Sequence, residues 1–295
     1  MTGTGAEPLA LPGERSLLGL SPAGFHRIAY AEWGAPDAGR TVVCVHGLTR
    51  NGRDFDFLAA GLAGAGLRVL CPDMPGRGRS DWLADPNLYG LPQYMADSAA
   101  LIARSGAAAV DWIGTSMGGL VGMMLAAQPN TPIRRLVLND VGPFVPKTAL
   151  ERIAAYVGQD PRFPTIAALE AAMRTTYAPF GALTDAQWTH LARHEARPLP
   201  GGGYALGYDP RISVPIRSAP PQDVDLWAVW DRISCPVLAV RGASSDLLLP
   251  GTLAEMATRG PRARTHLVED AGHAPALMAD GQIAAIRDFL LEEPE

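Results

Sequence analysis

The sequence predicts an α/β fold: a mainly parallel sheet with helices on both faces. Three observations carry this reading. Short apolar, β-branched runs alternate with longer helix-like patterns along most of the chain. The alternation breaks once, from about Phe144 to Val229, and then resumes. The residues best suited to chemistry sit just beyond the carboxyl ends of apolar runs, where the loops of an open parallel sheet converge on one crevice.

In chain order, Phe25 to Trp33 reads as a strand of an opening hairpin, and Thr41 to Val45 as a β-branched strand ending at His46-Gly47. Phe55 to Ala65 follows as an apolar helix. Leu67 to Cys71 is the next strand, stopped by Pro72 and a glycine-rich turn. Leu91 to Ser105 reads as a helix, Ala107 to Ile113 as a strand, Ser116 to Ala127 as a helix ended near Pro129, and Ile133 to Leu138 as a strand. Strands recurring between helices imply right-handed βαβ units. Beyond Asn139-Asp140-Val141-Gly142-Pro143 come helix-like stretches at Thr148 to Val157, Thr165 to Thr176 and Asp185 to Ala196, with no clear parallel strand between them. Their joints hold Pro161, Pro164, Pro198, Pro200, Gly201 to Gly203 and Pro220-Pro221, so this segment is expected to be a helical insertion over the sheet. The sheet pattern returns with strand Pro236 to Val240, helix Thr252 to Ala257, strand Thr265 to Val268 and helix Gly281 to Leu291. The expected organisation is a core from residues 1–143 and 230–295, with an inserted cap of residues 144–229.

Composition narrows the partners. The 295 residues can bury a full core, and 47% of them are apolar. No apolar run is long enough to span a bilayer. Met1 to Pro12 has neither the basic start nor the apolar centre of a signal peptide. A formal net charge of −5 argues against nucleic acid. Cys44, Cys71 and Cys235 lie in or beside strand-like runs, an odd count without clustered spacing, which points to buried thiols in a reducing compartment such as the cytoplasm.

The densest chemical signal is Gly114-Thr-Ser-Met-Gly-Gly119 between a strand and a helix. Glycines two residues either side of Ser116 let the chain turn sharply, leaving the serine oxygen exposed over a helix N-terminus whose amides can stabilise negative charge. A serine in such a turn can also be a simple helix cap. The strand before it and the helix after it favour a nucleophile elbow. Two further residues occupy loops after strands: Asp246 in Arg241-Gly-Ala-Ser-Ser-Asp246, and His273 in Asp270-Ala-Gly-His-Ala-Pro275. The chain order Ser, Asp, His is the one used by α/β-hydrolases. Asp140 also ends a strand, and some related hydrolases place their acid at that earlier position; Asp246 is preferred because its loop matches the commoner arrangement.

The chain thus resembles cap-bearing members of the α/β-hydrolase superfamily from about Gly24 to Leu291. Four motifs carry the likeness: Val45-His-Gly-Leu-Thr49, Asp73-Met-Pro-Gly-Arg-Gly-Arg-Ser80, the Ser116 elbow, and the Asp246 and His273 loops. The resemblance implies an eight-stranded, mostly parallel sheet with a helical cap inserted after strand 6. It also implies an oxyanion hole made by the Leu48 and Met117 amides, and a supporting role for His46. His190 and His194 share a helix face and could hold a metal, but His190 lacks a following Glu, and a serine mechanism needs no ion. The Asp73 loop lacks the Lys-Ser/Thr ending of a P-loop. The expected catalytic residues are therefore Ser116, Asp246 and His273, with neither metal nor cofactor.

The expected activity is two-step acyl transfer on small carboxylic esters, with lactones or thioesters as the nearest alternatives. Relatives that use an aspartate nucleophile are disfavoured by Ser116, and carbon–carbon bond hydrolases by Ala274. A non-enzymatic receptor or a perhydrolase of the same fold would share much of this sequence. Aromatic residues of the expected cap, including Phe144, Tyr156, Tyr177, Phe180 and Trp188, point to a small, mostly uncharged substrate.

Overall fold

Strands β1 (Gly13–Ser21) and β2 (Gly24–Trp33) form an antiparallel hairpin that opens the sheet. The structure, a computed structural model, describes residues 11–292, so most of the Met1 to Pro12 segment lies outside the described residues. Strands β3 (Thr41–Val45), β4 (Arg68–Pro72), β5 (Val110–Thr115), β6 (Ile133–Asn139), β7 (Val237–Gly242) and β8 (Arg264–Val268) complete eight strands in the order β1-β2-β4-β3-β5-β6-β7-β8. From β4 onward every neighbouring pair is parallel.

Alternation along each strand builds the two faces. In β3, Val43 and Val45 join one apolar cluster while Val42 and Cys44 join the other. The first cluster takes in helices α2 (Leu91–Ser105) and α3 (Met117–Ala126), with Trp112 fully buried. The second contains Leu58 and Leu62 of α1 (Asp56–Gly64), together with Ile286 and Phe289 of the C-terminal helix Asp280–Leu291. A sheet covered on both faces explains why its central strands read as continuous apolar runs.

Between β6 and β7 lie helices α4 (Lys147–Tyr156), α5 (Ile166–Thr176) and α6 (Asp185–Glu195), followed by the shorter α7 (Ser213–Arg217) and α8 (Trp227–Trp230). Thr184 and Gln187 make a reciprocal capping box that fixes the start of α6. Phe144–Val145 pairs with Val224–Asp225, tying the two ends of this segment together. The segment also contains a small antiparallel sheet of Arg162–Phe163, Tyr204–Leu206 and Ala196–Pro198, which the sequence pattern does not reveal. Strands of two or three residues are too short to generate a readable alternation. Leu169, Met173, Trp188 and Leu191 give the segment its own apolar centre. Among the described residues no helix is long and apolar enough to cross a membrane.

Candidate active site

Ser116 stands between β5 and α3 with φ 51° and ψ −112°, a conformation sparsely populated by L-residues. Such backbone costs on the order of 1–3 kcal/mol and persists only where its surroundings enforce it. Here Ser116 N–H donates to the Asn139 carbonyl at 2.9 Å, while the Ser116 carbonyl accepts from Gly119 and Leu120 at 2.9 and 3.0 Å. A side chain at Gly114 would strike the Gly118 backbone, and one at Gly118 would strike the Val45 carbonyl. Both flanking glycines are therefore sterically required. Trp112 donates its indole N–H to the Gly118 carbonyl at 3.0 Å, bracing the turn from below.

His273, in the loop after β8, lies with Nε2 2.9 Å from Ser116 Oγ. Its Nδ1 lies 2.7 Å from Asp140 Oδ2. If Nδ1 carries the proton and donates to the carboxylate, Nε2 is left as acceptor for the serine hydroxyl. Asn139 holds the histidine loop by donating Nδ2 to the Pro275 carbonyl at 2.8 Å and to Thr115 Oγ1 at 3.0 Å.

The carboxylate on His273 is thus Asp140, not Asp246, which corrects the expectation that the loop after β7 carries the acid; the order Ser, Asp, His is the same for both. Asp140 is fully buried, follows β6 directly, and accepts from Gly242 N–H at 2.9 Å and Ser245 Oγ at 2.5 Å. Asp246 instead accepts two hydrogen bonds, of 2.6 and 2.9 Å, from Arg152 of α4, and its side chain is 53% exposed. The physical reason lies in the sheet. β6 and β7 are neighbours, paired at Asn139 and Val240, so the loops after both strands reach the same crevice. The β7 loop uses Ser245 to support Asp140, while Asp246 pairs with Arg152 at the cavity wall.

The Leu48 loop is pinned from several sides. His46 Nε2 accepts from Met74 N–H at 2.9 Å, which leaves Nδ1 to donate to the Gly47 carbonyl at 2.7 Å. Burial drives the His46 pKa down to about 3, aided by Arg77 and Arg50, so the ring is neutral. Arg77, fully buried, donates to the carbonyls of Leu48 (2.8 Å) and Pro75 (2.7 Å) and to Tyr94 Oη (2.7 Å). Its guanidinium also lies 3.8 Å from Met117 Sδ, joining the Leu48 loop to the elbow. This bracing role was not read from the sequence. Gly47 lies against the elbow, because a Cβ there would sit 3.8 Å from Ser116 Cβ. Met117 opens α3, so its amide has no intrahelical acceptor. Asp73 accepts from Gly52 and Arg79 backbone N–H groups at 2.8 and 2.9 Å, a structural turn rather than a phosphate cradle.

A cavity of about 650 Å³ opens over Ser116 and His273. Tyr156, Tyr177 and Phe180 of the inserted segment line it, as do Leu48, Arg152 and Asp246. Phe144 and Trp188 do not line it: Phe144 sits in the pairing ribbon, and Trp188 in the apolar centre of the segment. In the cavity wall, Arg50 donates to both oxygens of Asp54 at 2.8 and 2.6 Å, and its Nη1 approaches Glu195 Oε2 at 3.0 Å without hydrogen-bond alignment. Burial pushes the Glu195 carboxyl up to about 7, with Arg50 pulling it down and Asp54 pushing it up. One guanidinium serves both the half-buried Asp54 and the fully buried Glu195, and Glu195, without an aligned bond to it, is left under-compensated.

Comparisons with known proteins bear on the chain as a whole. A family model described as the alpha/beta hydrolase family matches residues 42–286. A 3-hydroxybutyrate-oligomer hydrolase from Cupriavidus necator is 49% identical over 92% of this chain and 94% of its own length. An esterase from Mycobacterium tuberculosis is 30% identical over 83% of this chain and 80% of its own. An alpha/beta hydrolase structure from Novosphingobium aromaticivorans superposes with a TM-score of 0.85 at 38% identity, covering 96% of this chain and 99% of that one. The chain belongs to the alpha/beta hydrolase family, as a hydrolase acting on ester bonds.

Proposed function

We propose that the chain is a serine hydrolase that cleaves short oligoesters of 3-hydroxy acids, with 3-hydroxybutyrate oligomers as the preferred class. The observation that carries this is the hydrogen-bonded series Ser116–His273–Asp140 opening into a covered cavity. The 49% identity to a 3-hydroxybutyrate-oligomer hydrolase supports the substrate class. Residues 144–229 act as a cap, and a cavity of about 650 Å³ suits a small molecule rather than a polymer strand. The three free, buried cysteines support action in a reducing compartment such as the cytoplasm.

In this reading His273 Nε2 takes the proton of Ser116 as Oγ attacks the ester carbonyl, and Asp140 holds the ring and stabilises the imidazolium. The Leu48 and Met117 amides receive the oxyanion; one such donor contributes about 3 kcal/mol to lowering the barrier. His273 then protonates the departing 3-hydroxyl group. Water, deprotonated by the same ring, cleaves the acyl-enzyme and releases a hydroxy acid. The chemistry requires no metal or redox cofactor.

The test is a panel of 3-hydroxybutyrate dimer, trimer and tetramer beside short aryl esters, lactones and thioesters, with products separated by chromatography. Oligomers should give the highest kcat/KM and monomer as the end product. Faster turnover of lactones or thioesters, or carbon–carbon cleavage without ester hydrolysis, would reject the assignment.

A further inference from the structure

Away from Ser116, the fold gathers three metal-ligating side chains from two parts of the molecule. His190 and His194 are one turn apart on α6 of the cap, with ring centroids 4.6 Å apart. Asp56, fully buried, opens α1 of the core. One ligand atom from each can be chosen so that all three lie within 4.8 Å of one another. His190 Nε2 is already 3.2 Å from Asp56 Oδ2. The sequence offered only the histidine pair; the third ligand comes from a helix 134 positions earlier, brought in when α6 packs on residues 52–55.

We propose that Asp56, His190 and His194 bind a divalent ion of the zinc class at the seam between cap and core. Two imidazoles and one carboxylate form a set favoured by zinc, copper or nickel over calcium or magnesium, whose sites are built from oxygens. Three protein ligands leave a fourth, open position for water. Tetrahedral bonds of about 2.1 Å place ligand atoms about 3.4 Å apart, so the group has to contract by rotation of the side chains, which all lie near the seam. Phe57 packs edge-on against His190 at 5.3 Å between centroids and gives the site an apolar wall.

The other polar contacts define what an ion has to displace. His190 Nε2 is 3.2 Å from the Arg53 carbonyl. Arg53 Nε donates to Asp56 Oδ1 and Oδ2 at 2.9 and 2.7 Å, and its Nη2 lies 2.5 Å from Oδ2. The guanidinium therefore competes with a cation for the same carboxylate. An ion that wins this competition ties α6 to the segment following the Leu48 loop. Asn51 already bridges the two by donating Nδ2 to the His194 carbonyl at 3.3 Å.

The competition gives the test a direction that a merely structural histidine pair would not produce. Metal-free full-length protein is titrated with Zn²⁺ by calorimetry, and with Co²⁺ by visible absorption. One ion per chain is expected. His190→Gln and His194→Gln should each weaken binding by at least about tenfold, and Arg53→Gln should tighten it. As a check independent of folding in the variants, Zn²⁺ should protect His190 and His194 of the wild-type protein from diethylpyrocarbonate, read by peptide mass spectrometry. Absence of stoichiometric binding, binding indifferent to both histidine substitutions, binding unchanged or weakened by Arg53→Gln, or protection confined to other histidines would each overturn the site.

Discussion

Ser245 Oγ and Asp140 Oδ2 are 2.5 Å apart, although 105 residues separate them in the chain. The same carboxylate oxygen faces His273 Nδ1 at 2.7 Å, and the other accepts the Gly242 amide at 2.9 Å. The loop after β7 therefore orients an acid carried by the neighbouring strand. Removing the acid while keeping its shape is expected to be severe: Asp140→Asn should lower kcat by about 10⁴-fold, because the wrong histidine tautomer is then favoured. Ser245→Ala removes one hydrogen bond to a charged group, about 1.5–3 kcal/mol, so kcat should fall by roughly 10- to 100-fold. Steady-state kinetics on folded variants checks both values. Equal kinetics for Asp140→Asn and wild type would remove Asp140 from the reaction.

Ser116 is expected to react stoichiometrically with an organophosphate or sulfonyl fluoride, with the adduct located by peptide mass spectrometry. Ser116→Ala should lower kcat by at least about 10⁴-fold, since the residues of such a unit act together. Labelling at another serine would contradict the proposed nucleophile.

Much of the frame was legible because its elements are regular. Thr41–Val45 and Leu91–Ser105 occupy the bounds read from the sequence. β5 begins three residues later than the apolar run predicts: Gly106 caps α2 at φ 73°, and Ala107 N–H is taken by Ser105 Oγ, so Ala107 belongs to a turn. The proximity of Ser116 to His273 was legible from glycine spacing and loop position. The identity of the acid was not, because two adjacent parallel strands deliver an aspartate to one end of the sheet, and the choice rests on tertiary hydrogen bonds from Ser245 and Gly242. Asp56 was invisible as a partner of His190 for a similar reason: the packing of α6 on the core has no local sequence signature.

Acid should unfold the protein partly through His46. Its folded pKa, about 3, lies below the ordinary value of 6.5, and burial is the largest cause. Below pH 6.5 the unfolded chain takes up a proton that the folded chain refuses. His46 therefore stabilises the fold fully above that pH, and the contribution is lost as pH falls from 6.5 toward 3. His46→Gln keeps an acceptor for Met74 N–H but cannot titrate. Thermal melts across this window should show a shallower loss of stability for the variant than for wild type. Parallel curves would mean that His46 is not held neutral.

The Asp246–Arg152 pair offers the final expectation, which rests on the oligoester assignment. The two side chains are 53% and 42% exposed at the rim of the cavity, and an ion pair so placed contributes about 0–1 kcal/mol to stability. Asp246→Asn should therefore leave folding and the turnover of a neutral aryl ester within a few-fold of wild type. It also releases a guanidinium beside the cavity. Oligomers of 3-hydroxy acids carry a terminal carboxylate, so their KM should fall by up to about fivefold in Asp246→Asn, the gain corresponding to an exposed ion pair. Arg152→Ala should raise the same KM while leaving that of the neutral ester nearly unchanged. The oligomer effect should shrink as salt is raised, since exposed charges are screened. A loss of kcat in Asp246→Asn as large as that in Asp140→Asn would instead return Asp246 to the reaction itself.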